Sequence, residues 1–170
     1  MKMRAIVLIV AMCAASPALY AQEPVVGVKD PESLFKDPDP VLNKNKQAAL
    51  HIQRELLQCG QWDRAGEWLT KAYHQHNPNA ASGLDGVIAF FTKVLKVKRI
   101  DKCDKLTTEI VAVMADDNYV TVLTPRKFPD PRTPGKEYYT SWFDTWRFVD
   151  GKADEHWDPA TIAPPPAGGK

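Results

Sequence analysis

Two stretches of this chain, about 70 residues apart, combine imidazole and carboxylate groups with bulky aromatic side chains. The first is Tyr73–Pro78 and the second is Phe143–Asp158. Burying such polar groups costs free energy unless they are paired, so a small domain keeps them chiefly where a pocket needs acid–base or hydrogen-bonding groups. The sequence therefore predicts a functional site if the fold brings the two stretches together around a cavity.

The second stretch reads as a β-strand with one aromatic face. Residues two positions apart share a face of a strand, and one face here carries a single carboxylate: Trp142, Asp144, Trp146 and Phe148. In an apolar wall Asp144 would be suited to act as a general acid or base. The alternative is structural, with Asp144 paired to an arginine or capping a turn.

The histidines are the other candidates for proton transfer, because imidazole titrates near neutral pH. His76 precedes a turn and could lie at a pocket rim, or it could simply bond to the backbone. In the last strand His156 and Asp158 share one face, while Glu155 and Trp157 share the other. His156 could be a pocket group or a surface residue paired with a carboxylate. We favour a structural role for Arg147, neutralising one of these acids.

Metal and nucleophile chemistry are less favoured. His74 and His76 would point the same way in a strand and could bind Zn²⁺ with His156, but in a helix their rings would diverge. The sequence shows no Ser or Cys in a nucleophile-elbow context and no phosphate-binding Gly loop. We predict no metal and no cofactor.

The elements that must position these residues are helices followed by strands. Residues 22–41 are rich in Pro and charges and predict an extended, partly disordered lead-in, and 159–170 predict a Pro/Gly tail. Between them the patterns predict three helices and four antiparallel strands in a domain over 42–158. The helices are predicted from about Asn43 to Gly60, Asp63 to Tyr73 and Ser82 to Leu95, and the strands over Thr108–Ala115, Tyr119–Leu123, Tyr138–Val149 and Lys152–Trp157. This order is typical of an α+β fold.

The pattern of charged and apolar residues at the N-terminus predicts that the protein is exported. Lys2 and Arg4 precede a short apolar run, and residues 1–21 predict a signal peptide cut after Ala21, which makes the protein periplasmic or secreted. A lipoprotein attached through Cys13 is the less favoured alternative. No later segment approaches the roughly 20 apolar residues of a membrane span.

The mature chain would hold 149 residues, 20 basic and 21 acidic, so a nucleic-acid partner is not expected. It would keep Cys59 and Cys103, which either pair in the oxidising compartment or remain separate buried thiols.

The motifs together resemble the SnoaL-like (polyketide cyclase-like) group of the NTF2-like superfamily. That group shows a Tyr-x-Gln-His-Asn-Pro stretch and a Gly-rich turn into a helix ending in paired Phe, here Tyr73–Pro78 and Ser82–Phe91. It also shows an Asp-x-x-Arg strand, a Gly-Lys turn and Glu-His-Trp-Asp, here Asp144–Arg147, Asp150–Lys152 and Glu155–Asp158. The resemblance covers roughly residues 41–158.

This resemblance implies a cone-shaped α+β barrel, in which three N-terminal helices pack on a strongly curved, mostly antiparallel sheet, and a homodimer formed through the sheet. It implies a pocket for a small hydrophobic or amphipathic molecule. In the polyketide cyclases after which the group is named, it implies cofactor-free aldol chemistry driven by proximity and an acid–base pair. The candidate proton-transfer residues are His76, Asp144 and His156. The candidate pocket residues are Tyr73, Asn77, Phe91, Trp142, Trp146, Arg147, Trp157 and Asp158.

Two functions remain open. The first is cofactor-free isomerisation, dehydration or cyclisation, and the second is a non-catalytic ligand-binding or interaction module of the cell envelope. His76 and Asp144 facing each other within about 6 Å across an apolar cavity would favour catalysis. Either group pointing to solvent, or Trp146 filling the cavity, would favour the binding module.

Overall fold

Within residues 23–162, which the computed structural model describes, five strands form one curved sheet. The strands are β1 Leu69–Gln75, β2 Ala112–Asp116, β3 Tyr119–Pro129, β4 Glu137–Val149 and β5 Lys152–Trp157. Their order is β1-β5-β4-β3-β2, and all neighbours are antiparallel except β1 and β5. The predicted signal peptide and residues 163–170 of the predicted tail lie outside the described residues.

The helices precede or interrupt the strands along the chain. They are a 3₁₀ turn Pro31–Phe35, α1 Pro40–His51 extended by a π-helical segment Ile52–Gln58, a 3₁₀ turn Trp62–Arg64 leading into α2 Ala65–Trp68, and α3 Leu84–Ala89 extended by a π-helical turn Phe90–Val94. None of the described helices is long and apolar enough to cross a bilayer.

Helix α1 begins at Pro40 because the Asp39 carboxylate accepts the backbone N–H groups of Val41 and Leu42, at 2.8 and 3.0 Å. Its extension ends before Gly60, which adopts a φ of +63° that favours glycine. The helices cover the sheet, and the buried core between them includes Phe35, Leu56, Val120, Trp146 and Phe148. The predicted α+β fold class is confirmed.

The second predicted helix is wrong beyond Trp68. Leu69–Gln75 is strand β1, which pairs in parallel with β5. Leu69 and Tyr73 are both buried, and residues four apart share a face in a helix and in a strand alike, so their spacing did not discriminate. Pairing with a strand more than 80 residues later decided the conformation, as tertiary context commonly does.

The predicted disordered lead-in is partly folded. Phe35 is completely buried in the core, and the Val28 N–H donates to the Ile110 carbonyl at 2.8 Å. Burial of a Phe side chain contributes roughly 1.5–3 kcal/mol, enough to order a short segment that also gains backbone hydrogen bonds. This part of the lead-in therefore belongs to the domain.

The third predicted helix begins later and differs at its start. Gly83, with a φ of +88°, precedes α3, and the Ser82 hydroxyl accepts the Gln75 N–H at 3.0 Å instead of capping the helix. Val94 and Leu95 of its predicted apolar face are exposed. The helix end thus packs less deeply than the periodicity indicated.

Both predicted hairpins are confirmed, although the first strand begins at Ala112 and not at Thr108. Strands β2 and β3 join at Asp117 and Asn118, and strands β4 and β5 join at Asp150 and Gly151. Asp150 and Gly151 both have positive φ, of 52° and 82°, which a two-residue turn of the I′ type requires.

A disulfide joins Cys59 to Cys103, which decides between the two alternatives that the sequence left open for these cysteines. It ties the end of the first helix to the irregular segment between α3 and β2. Gln58 and Gln61 reinforce this attachment: the Gln61 amide donates to the Ile100 carbonyl at 2.8 Å, and the Gln58 amide donates to the Lys105 carbonyl at 2.9 Å.

Candidate functional site

A cavity of about 560 Å³ lies between the helices and the sheet, large enough for a small organic ligand. Its walls are mainly apolar and aromatic, and the candidate residues Tyr73, Phe91, Trp142 and Trp146 are among them. Phe91 is stacked on Trp62 with their ring centroids 3.8 Å apart. Trp146 lies on the wall but leaves this volume open.

Strand β4 places the carboxylate on the sheet wall. As the alternation predicts, Trp142, Asp144 and Trp146 face the cavity, whereas Phe143 faces solvent. Asp144 is 7 % exposed. The Trp142 indole N–H donates to Asp144 Oδ1 at 3.2 Å, so the strand that carries the carboxylate also orients it.

The parallel pairing of β1 with β5 brings the two motif stretches together. Gln75 lies opposite His156, and the His76 backbone N–H donates to the His156 carbonyl at 3.1 Å. Because the side chains of each strand alternate, Tyr73 and Gln75 of β1 and His156 of β5 all line the cavity.

Gln75 determines the tautomer of His156. Its Oε1 accepts the Asn77 backbone N–H at 3.0 Å, and since a backbone N–H only donates, this atom must be the amide oxygen. His156 Nδ1 lies 2.8 Å from the same oxygen and must therefore donate a proton to it. His156 Nε2, 3.3 Å from Asp144 Oδ1, is then the nitrogen that can gain or lose a proton.

Asp158 adds a second carboxylate to the wall. The Asn77 side-chain amide donates to Asp158 Oδ2 at 2.8 Å, and the Ala160 backbone N–H donates to Oδ1 at 2.9 Å. One ligand atom from each of Asp144, His156 and Asp158 lies within 4.8 Å of the others, so these three residues could hold a metal ion.

Tyr73 contributes a neutral donor. Its ring is buried, and burial raises the pKa of the phenol well above its ordinary value. The hydroxyl oxygen accepts the Trp146 indole N–H at 3.2 Å, and within residues 23–162 the hydroxyl proton has no acceptor. A bound molecule can supply one.

His76 does not line the cavity, contrary to the prediction. Its side chain is 49 % exposed, its Nε2 lies 2.8 Å from Glu155 Oε1, and its ring stacks on Trp157 at 5.1 Å. The reason is alternation: with Gln75 and Asn77 turned inward, the residue between them must face out. His76 and Asp144 therefore do not face each other across the cavity.

Arg147 and Trp157 also lie on the outer side, so their assignment to the pocket is wrong. Arg147 bonds Asp154 Oδ2 at 2.6 Å and Glu155 Oε2 at 2.9 Å, the structural role that the sequence favoured. A bulge in β5 makes this possible, because Phe148 pairs with Ala153 while Arg147 pairs with Glu155, leaving Asp154 as the extra residue.

These contacts lower the pKa values of the two carboxylates on the outer side of the sheet, Asp154 and Glu155. Hydrogen bonds from His76 and then Arg147 lower the pKa of Glu155, and the Thr70 hydroxyl followed by Arg147 lowers the pKa of Asp154. The contacts of Thr70, His76, Arg147, Asp154 and Glu155 on the outer side of the sheet are thus largely charge-assisted, and they connect β1, β4 and β5.

The three histidines considered as Zn²⁺ ligands, His74, His76 and His156, do not lie on the same side of the sheet. His74 on β1 and His76 just after it are exposed on the outer side of the sheet, and His156 lies buried on the cavity side of β5. Gln75 is the site residue that the sequence reasoning missed. The two-residue period of a strand would have placed Gln75 on the same inward face as Tyr73, but only after β1 was recognised as a strand.

The comparisons with known proteins agree with this architecture. The sequence model of the SnoaL-like domain matches residues 53–156, more than half of the chain. A search of proteins with curated annotation found no match to this chain.

Solved structures share the fold at low identity. A candidate polyketide cyclase from Acidithiobacillus ferrooxidans is 18 % identical, with 68 % of this chain and 86 % of that chain covered and a TM-score of 0.50. A candidate SnoaL-like polyketide cyclase from a Jannaschia species is 19 % identical, with 73 % and 91 % covered and a TM-score of 0.51. An NTF2-like protein of unknown function from Burkholderia pseudomallei is 18 % identical, with 69 % and 91 % covered and a TM-score of 0.50. The fold and the domain match together show that this chain belongs to the SnoaL-like family, within the NTF2-like fold.

Proposed function

We propose that the cavity binds a small apolar or amphipathic molecule and that Asp144 and His156 move a proton on it without a cofactor. The observation that carries this proposal is the carboxylate–imidazole pair, buried on the wall of a largely apolar cavity with its tautomer held by Gln75. A buried pair of this kind is suited to general acid–base catalysis.

The proposed reaction begins at a carbon next to a carbonyl group. The Asp144–His156 pair accepts the proton from that carbon, and the bonding electrons move onto the carbonyl oxygen as an enolate. The Tyr73 hydroxyl donates a hydrogen bond to this oxygen, where negative charge develops. If the pair returns the proton to another carbon, the reaction is isomerisation. If the enolate carbon attacks a second carbonyl and the pair gives the proton to the new alkoxide, it is cyclisation. If the β-hydroxyl leaves as water with that proton, it is dehydration.

The second candidate is a binding module without catalysis. It is favoured by His76, because the imidazole expected opposite Asp144 lies in solvent beside Glu155. The same cavity would then hold a ligand while the Asp144–His156 pair orients a polar group of it.

The experiment begins with a screen for small molecules that raise the melting temperature of residues 22–170. Carbonyl-containing hits are then incubated in D₂O, and exchange of their C–H protons is followed by NMR. We expect exchange with the native protein and a loss of about 10²-fold or more in Asp144→Asn, which should still fold and bind. EDTA should leave the rate unchanged.

Three outcomes would contradict this function. Unchanged exchange in Asp144→Asn removes that carboxylate from the mechanism, and loss of exchange with EDTA assigns the chemistry to a metal at Asp144, His156 and Asp158. Binding of hits without exchange in the native protein favours the binding module.

We also propose that the protein is exported after cleavage behind Ala21. The Cys59–Cys103 disulfide supports this, because such bonds persist in oxidising compartments. Intact mass of the protein recovered after expression of the full chain should correspond to residues 22–170. Recovery of the uncut chain from the cytosol would contradict the proposal.

A homodimer through the sheet is the third proposal. The outer face of the sheet exposes Met114, Tyr119 and Phe143, at 50, 44 and 43 %. Light scattering should give twice the chain mass for the native protein and the single mass for Phe143→Glu. A native monomer would contradict it.

A further inference from the structure

The helix wall of the cavity carries a buried amide that has no hydrogen-bond partner. Gln53 is 3 % exposed and lines the cavity from the π-helical segment Ile52–Gln58. Its Nε2 is shielded from solvent and has no hydrogen-bond partner in the described part of the chain. Buried polar groups are normally paired, so this amide lowers the stability of the free protein and needs an explanation.

The neighbours of Gln53 offer no structural explanation. Ile52, Leu56 and Leu57 line the same wall and are apolar. The backbone around it is a π turn, in which the Cys59 N–H donates to the carbonyl of Arg54 five residues earlier, at 3.1 Å. Such turns are uncommon and occur frequently at functional sites.

The charges of the cavity wall indicate which chemistry would satisfy this amide. The π-helical segment contributes no charged side chain to the lining. Among the described lining residues, the arginine is Arg126, which lies on strand β3 of the sheet. On a wall segment that brings no cation to the lining, this amide suits a neutral oxygen better than a carboxylate, because it can donate to a carbonyl or exchange a hydrogen bond with a hydroxyl.

We propose that Gln53 binds a neutral oxygen function, carbonyl or hydroxyl, of the molecule held in the cavity. This inference rests on the proposed function and narrows its ligand class. The molecule presents one oxygen to Tyr73 and the Asp144–His156 pair on the sheet wall and a second oxygen to Gln53 on the helix wall. An apolar body between the two oxygens meets the aromatic side chains.

The test compares Gln53→Met, which keeps the length of the side chain but removes the amide, with Leu57→Met, which changes the same wall without changing its polarity. The first measurement is the melting temperature without ligand. Gln53→Met should melt at the native temperature or above it, because an unsatisfied buried amide has been removed. A decrease of more than about 5 °C would show a structural role for Gln53 and overturn the proposal.

The second measurement is the Kd of three probes built on one aromatic core, naphthalene, 2,6-dihydroxynaphthalene and 2,6-diacetylnaphthalene, of which the last two present an oxygen at each end, as the proposal requires. Gln53→Met should weaken binding of the oxygenated probes about fivefold or more and leave naphthalene within about twofold. Weaker binding of 2,6-dihydroxynaphthalene alone assigns the Gln53 site to hydroxyl groups, and weaker binding of 2,6-diacetylnaphthalene alone assigns it to carbonyl groups. Leu57→Met should affect all three probes equally.

Equal effects of Gln53→Met on all three probes, or no effect, would overturn the assignment of Gln53 while leaving the proposed function standing. If none of the three probes binds the native protein, the Gln53 proposal and the proposed ligand cavity fail together.

Discussion

His156 donates from its Nδ1 to Gln75 Oε1 at 2.8 Å, and this hydrogen bond determines which ring nitrogen faces Asp144 as the exchangeable site. The backbone N–H of Asn77 holds the same oxygen in place. Gln75 acts through the imidazole and not on a ligand directly, so it is a positioning residue.

The first prediction concerns this hydrogen bond. In Gln75→Met the acceptor for Nδ1–H is lost, and we expect His156 to shift toward the tautomer protonated on Nε2. Proton exchange on a ligand should fall about tenfold or more, because Nε2 can no longer accept a proton in that form. The ¹⁵N shifts of the ring measure the tautomer, and Gln75→Glu, which retains an acceptor, is the control. An unchanged tautomer in Gln75→Met would refute the role given to Gln75.

The second prediction concerns His76. Because its ring lies outside the cavity, His76→Ala should leave ligand exchange within about twofold of native. The loss of its contact with Glu155 should cost about 1 kcal/mol of unfolding free energy or less, as is usual for exposed ion pairs. Chemical denaturation measures the second quantity. A large loss of exchange with normal stability would return His76 to the mechanism.

The third prediction concerns the Tyr73 hydroxyl. Tyr73→Phe removes the donor to the developing oxyanion and should reduce exchange by about 10²-fold while ligand binding persists. It also leaves the buried Trp146 indole N–H without its acceptor, which should lower the unfolding free energy by roughly 1–3 kcal/mol. Measuring Kd and rate separately distinguishes the two effects. A change in Kd with no change in rate would limit Tyr73 to binding.

The fourth prediction concerns the disulfide. Replacing Cys59 and Cys103 together by Ala should lower the unfolding free energy by roughly 3–4 kcal/mol, because the bond closes a long loop in the unfolded chain. Reductant should lower the melting temperature of the native protein and leave that of the double variant unchanged. Intact mass should rise by about two hydrogens on reduction. No mass change would mean that the two cysteines are not bonded.

The fifth prediction concerns acid stability. Arg147 helps to lower the pKa values of Asp154 and Glu155, so the stabilisation is present above the unfolded-state pKa, about 4, and is lost as the pH falls through the lower folded-state values. Arg147→Met should therefore reduce the melting temperature near neutral pH by about 3 °C, with a smaller difference below about pH 3.

Lys102→Met is the control for acid stability, because Lys102 and its partner Asp104 are both highly exposed and the pair should contribute little at any pH. A difference between native protein and Arg147→Met that stays constant across the acid range would contradict the linkage.

The features that depend on local geometry could be predicted from the amino-acid pattern alone. The inward face of β4, with Trp142, Asp144 and Trp146, follows from the two-residue period of a strand. The β4–β5 hairpin follows from Asp150-Gly151, which tolerates positive φ at both positions. The motif order sufficed to identify the family and the α+β class.

Long-range strand pairing determines which imidazole meets Asp144. Residues 69–75 carry a pattern compatible with helix and strand, and the distant strand β5 made them a strand by supplying backbone partners. That pairing turned Gln75 inward and His76 outward, and the bulge at Asp154 gave Arg147 two carboxylates on the outer side. Such outcomes depend on hydrogen bonds between segments far apart in the chain, and no local pattern encodes their register.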